Sequence, residues 1–147
     1  MTIPTLPAGP PMPAGDAFDR LMRTIVERRD GPADRSYTQK LLTSGVATIG
    51  SKIMEEAGEV VESATLLEAR GGAVTLGAVT HGAVDELPRS GKELGTTAHL
   101  VHEAADLLYH LWVMLAKHQV PLDWVRQELD RRAGVSGLDE KANRPLT

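Results

Sequence analysis

The stretch VATIGSKIMEEAGEVVESATLLEAR, residues 46–70, decides the fold. Val46, Ile49, Ile53, Ala57, Val60, Ala64 and Leu67 recur at steps of three and four, which draws one apolar stripe along a helix and cannot alternate across a strand. A second long segment, from about Thr97 to Lys117, carries Leu100, Val101, Ala104, Leu108, Leu111 and Leu115 on a main apolar face. Leu107, Val113 and Met114 widen that face, so the second half of this helix is expected to be central and buried.

Shorter helices flank these two. Asp16 is placed to cap a helix through Phe18, Leu21, Ile25 and Val26 to about Arg29, stopped by Gly31 and Pro32. Ser36-Tyr37-Thr38 opens a short helix through Leu41 and Leu42, ended near Gly45. Pro121 suits the first turn of a last helix, with Trp124, Val125 and Leu129 expected on its inner face and its end near Gly134. No run of alternating β-branched residues bounded by turns is present. The expected fold class is all-α, a helical bundle.

The chain has 147 residues, enough for one domain that buries roughly 68–70% of its unfolded surface. Residues 1–15 are Pro-rich and read as a disordered tail, and residues 16–147 read as the folded domain. From about Gly71 to Thr96 the sequence Gly-Ala-Val-Thr repeats at a five-residue period that fits neither helix nor strand, so this part reads as an irregular Gly-rich insertion. Cys is absent, which excludes disulfides and thiolate metal sites. A reducing, cytoplasmic setting is the expectation. The formal net charge of -4 and the scarcity of aromatics offer nothing to attract nucleic acid or an anionic membrane.

Chemistry is concentrated in two acidic pairs. Residues 46–70 contain Glu55, Glu56 and Glu59, and residues 97–117 contain Glu103 and Asp106. Acids three residues apart lie one turn apart on one helix face, close enough to share a divalent ion. Lys52, Glu56 and Glu59 fall on one flank of the apolar stripe. Glu103 and Asp106 sit on a helix that is apolar around much of its circumference, where acids need a partner or a metal. Were the two helices to pack side by side, the repulsion among Glu56, Glu59, Glu103 and Asp106 would be relieved by a hard cation. Oxygen-only ligands favour Mg²⁺ or Mn²⁺ over Zn²⁺, and Mg²⁺ readily takes further ligands from phosphate.

Each feature has a plainer counterpart. Acids spaced by three commonly form a solvated helix face. His99, Glu103, Asp106 and His110 share a stripe that suggests a mixed-ligand zinc site, although no His-Glu-x-x-His is present. Gly-rich phosphate loops and serine nucleophile elbows are missing, which leaves isolated cations, Lys40, Lys52, Lys141 and Arg144, as candidate phosphate contacts.

Four segments in order carry a resemblance: Ser36-Tyr37-Thr38-Gln39-Lys40-Leu41-Leu42, Glu55-Glu56-Ala57-Gly58-Glu59-Val60-Val61, Glu103-Ala104-Ala105-Asp106-Leu107-Leu108-Tyr109-His110 and Ser136-Gly137-Leu138-Asp139-Glu140-Lys141. Together they resemble the phosphoribosyl-ATP pyrophosphatase family, within the all-α, MazG-like nucleotide pyrophosphohydrolases. The resemblance implies Mg²⁺-dependent hydrolysis of 1-(5-phosphoribosyl)-ATP to 1-(5-phosphoribosyl)-AMP and pyrophosphate, the second step of histidine biosynthesis. It also implies a homodimer with sites near the interface. Metal binding falls on Glu56, Glu59, Glu103 and Asp106, with Glu55 placed to orient water or bind a second ion. Either Glu55 or Glu59 is the candidate acceptor of the water proton, and the sequence leaves that choice open. Two rivals stand beside this reading: a house-cleaning hydrolase of noncanonical nucleoside triphosphates, and a non-catalytic helical interaction module.

Overall fold

The computed structural model describes residues 15–32, 36–71 and 94–133, and these form five α-helices with no strand among them. They are α1 Ala17–Asp30, α2 Tyr37–Ser44, α3 Val46–Ala69, α4 Thr97–Lys117 and α5 Leu122–Ala133. The all-α expectation holds. All but the last residue of the expected tail, nearly all of the Gly-rich insertion and the segment after Ala133 fall outside the described residues.

Local capping explains the boundaries. The Asp16 carboxylate accepts from the backbone N–H groups of Phe18 and Asp19, the Ser36 hydroxyl from Gln39 and the Thr96 hydroxyl from His99. Gly45 alone separates α2 from α3, and it does so at φ 96°, a conformation that side chains resist. The carbonyl of Ala116, near the end of α4, receives the Arg29 guanidinium at 2.7 Å, and the Lys117 ammonium reaches the Leu42 carbonyl at 2.7 Å. Cations at helix C-termini satisfy orphan carbonyls and complement the dipole.

Helices α3 and α4 form the main pair and run antiparallel, since Glu56 meets His110 while Ser63 meets His99. At one end, α1 and α2 close over this pair. There Met22, Ile25, Leu41, Leu42, Ile49, Trp112, Val113, Ala116 and Leu122 make the apolar core. Further along the pair the buried side chains turn polar, namely Glu56, Ser63, Glu103 and His110. The core therefore anchors two rigid helices whose other half holds ionisable groups.

Two expectations about faces need correction. On α4 the deepest apolar residues are Trp112, Val113 and Ala116, whereas Val101 and Leu111 from the expected main face are exposed. A helix apolar around most of its circumference does not encode which side faces inward, and here α1 and α3 settle it. On α5, Leu122 is buried and Val125 half-buried, while Trp124 and Leu129 are exposed. Leu122 and Val125 are the residues of α5 that pack against the core, and the Arg126 guanidinium reaches the buried Asp19 carboxylate of α1 at 2.7 Å.

Candidate metal centre

Carboxylate oxygens of Glu56, Glu103 and Asp106 lie within 4.8 Å of one another. Glu56 comes from α3, and Glu103 and Asp106 come from adjacent turns of α4, so the antiparallel packing of the two helices makes the cluster. Glu56 and Glu103 are buried. The Asp106 side chain is 44% exposed, which gives the trio one side open to solvent. A purely solvated acid face would not bury two of three carboxylates.

Electrostatics make this arrangement costly without a cation. Burial raises the Glu56 pKa above the ordinary carboxylate value, and the neighbouring Glu59 raises it further, against the pull of His110 and Lys52. Burial likewise raises that of Glu103, again with Glu59 adding to the shift and His99 opposing it. Glu59 is itself exposed and stands outside the trio, yet it faces both buried acids closely enough to raise the proton affinity of each. Three hard oxygen donors around one open side match the preference of Mg²⁺ or Mn²⁺.

The two remaining residues of this flank separate in role. Glu55 is 53% exposed and is held by Lys52 at 2.8 Å, on the outer side of α3. Lys52 also reaches the Glu56 carboxylate at 3.4 Å, which puts its ammonium at the edge of the cluster. Lys40 is exposed on α2 and has no ion pair among the described residues. Lys141 and Arg144 lie outside the described residues.

Among the described residues, His99 and His110 join no cluster of metal-binding side chains. His110 Nδ1 lies 2.8 Å from the Asp106 carbonyl and must donate to it, and in the neutral ring Nε2 then accepts from the Tyr37 hydroxyl at 3.1 Å. Desolvation raises the Tyr37 pKa, which keeps that hydroxyl protonated. His99 has Ser63 Oγ at 2.8 Å from Nδ1 and Glu103 Oε1 at 3.0 Å from Nε2. Both rings already spend both nitrogens on protein partners. A third histidine, His102, is exposed and sits 3.4 Å from Asp106 at the open side.

The sequence does not pick out Ser63, and it picks out His110 only as a zinc candidate and as part of the family resemblance. Ser63, fully buried, lies seven residues after Glu56, and His110 lies seven after Glu103. That two-turn spacing on each acid-bearing helix was the available signal. Tyr37 stacks near Tyr109 at 6.3 Å, and Thr38 joins the Tyr109 hydroxyl at 2.7 Å and the Arg28 guanidinium at 3.1 Å. This ties the Ser-Tyr-Thr segment of α2 to α4 directly beside the cluster.

The chain matches the family described as phosphoribosyl-ATP pyrophosphohydrolase over residues 18–133. It is 39% identical over 128 residues to the phosphoribosyl-ATP pyrophosphatase of Rhodopirellula baltica, covering 87% of this chain and 86% of that one. Against the protein of the same name from Erythrobacter litoralis, identity is 37% over 129 residues, covering 88% and 97%. Against that from Trichlorobacter lovleyi it is 39% over 127 residues, covering 86% and 92%.

Proposed function

The chain belongs to the phosphoribosyl-ATP pyrophosphohydrolase family, and from that premise we propose that it hydrolyses phosphoribosyl-ATP to phosphoribosyl-AMP and pyrophosphate in histidine biosynthesis. The observation that carries the chemistry is the trio Glu56, Glu103 and Asp106, within 4.8 Å and open on one side. These residues would hold Mg²⁺, with Mn²⁺ as a substitute. When bound, the ion supplies Lewis acidity toward phosphate oxygens and activates water.

The chain's own groups supply the rest. Glu59 is the better placed proton acceptor, because it borders both buried acids while Glu55 is engaged by Lys52. The Lys52 ammonium, 3.4 Å from Glu56, offers positive charge to a phosphate at the rim. Lys40, Lys141 and Arg144 complete the candidate phosphate contacts. The deciding assay follows pyrophosphate release from phosphoribosyl-ATP with and without Mg²⁺, alongside dUTP and ITP. Metal-dependent release from phosphoribosyl-ATP is expected, and preference for the other two would reassign the protein to house-cleaning hydrolysis.

The protein is further proposed to act as a homodimer in the cytoplasm. No helix among the described residues is long and apolar enough to cross a membrane. Support for the dimer comes from apolar surface that one chain leaves bare: Met54 is 73% exposed, Val61 66% and Val101 40%. Gly50 and Gly58 share the α3 face of Met54 and Val61, and a Cβ at either glycine would meet no atom within 4 Å. A face of small and apolar residues suits close approach of a second copy. The double variant Met54→Lys/Val61→Lys is expected to halve the solution mass seen by light scattering, from twice 15.8 kDa to the mass of one chain. A wild-type protein that already measures 15.8 kDa would remove the dimer.

A further inference from the structure

Two of the polar side chains enclosed between α3 and α4 belong neither to the acids nor to the cations. Ser63 on α3 is 0% exposed, and a hydroxyl there is costly unless it is hydrogen-bonded. Its Oγ lies 2.8 Å from His99 Nδ1 on α4. The opposite ring nitrogen, Nε2, lies 3.0 Å from Glu103 Oε1. Ser63, His99 and Glu103 thus form a chain that ends on one acid of the trio.

The direction of this chain follows from the donor inventory. Against an ionised Glu103, Nε2 must carry a proton, since two facing lone pairs would repel. In neutral imidazole Nδ1 is then an acceptor, and the Ser63 hydroxyl is the donor that fills it. Ser63 thereby selects the tautomer and ring orientation of His99. His99 in turn holds Oε1 of Glu103, whose carboxylate belongs to the cluster.

We propose that Ser63 and His99 are positioning residues for the cation site, fixing the Glu103 carboxylate from behind. The inference rests on the reading that Glu56, Glu103 and Asp106 bind a divalent ion. Partners of this kind orient metal-ligating groups and typically govern tenfold to hundredfold of metal affinity. A clip that only joins α3 to α4 would act on stability alone.

The test measures Mn²⁺ binding to the purified full chain by electron paramagnetic resonance, with melting temperature recorded in parallel. Ser63→Ala and His99→Leu are expected to weaken Mn²⁺ binding by about tenfold to a hundredfold. His99→Gln, which restores an N–H donor toward Glu103, is expected to recover most of that loss. Adding Ser63→Ala to His99→Gln should change little further, because an amide needs no tautomer selected. Wild-type protein that binds no Mn²⁺ overturns the cation reading and this inference with it. Wild-type affinity in both Ser63→Ala and His99→Leu overturns this inference alone, whatever their melting temperatures.

Discussion

Glu103→Gln is expected to cut pyrophosphate release from phosphoribosyl-ATP by at least about a hundredfold, since loss of a ligand should exceed the effect of losing an outer partner. The fold should survive, and without metal it should melt higher than the wild type. Burial is the main reason the Glu103 pKa is raised, with Glu59 adding to it. Gln removes that penalty and retains an oxygen to accept from His99. The sign follows from linkage. A carboxyl whose folded pKa is raised binds protons more readily when folded, so metal-free stability is lost as pH rises through that value and regained as pH falls. The melting advantage of Glu103→Gln should therefore shrink on acidification toward the ordinary carboxylate range. Saturating Mg²⁺ should stabilise the wild type at neutral pH and do little for the variant. A variant with full turnover would remove Glu103 from the chemistry, and a metal-free variant that melts below the wild type would contradict the strain.

Ile49→Ala should have the largest effect on stability among single truncations of α3. Ile49 is 0% exposed and packs in the core with Val113, also 0% exposed. Removing its side chain leaves a cavity between the two helices that carry the acids, at a cost of about 2–5 kcal/mol. For a chain of this size each kcal/mol lowers the melting temperature by about 2–4 °C. The control is Glu62→Ala on the exposed side of the same helix, expected within about 0.5 kcal/mol of wild type. Urea unfolding of both variants checks the comparison, and equal midpoints would mean that Ile49 does not hold α3 against α4.

Much of this molecule is legible from local patterns. Asp16 and Ser36 mark helix starts because their side chains satisfy nearby N–H groups, an interaction that spans only two or three residues. The acids of α3 and α4 stand out because helical spacing alone puts Glu103 and Asp106 on one face. What periodicity missed is equally specific. Leu111 and Val113 lie on the same helix and are both apolar, yet one is exposed and the other fully buried. Trp124 and Leu129 suit an inner face by composition but remain outside, because Leu122 and Val125 take the side of α5 that meets the core. Ser63 carries no signal as a single residue, and His99 stands out only as a zinc candidate; their pairing across two helices appears only in the structure.

The sequence by itself determined five helices, the caps at Asp16 and Ser36, the two acidic pairs and the family, since each is written in short-range spacing or in residue identity. Only tertiary structure decided that Glu56 meets Glu103 and Asp106, and that Ser63 meets His99. The reason is physical: a helix fixes the angle of each side chain about its own axis, whereas the rotation of one helix against another is set by the sum of all packed neighbours.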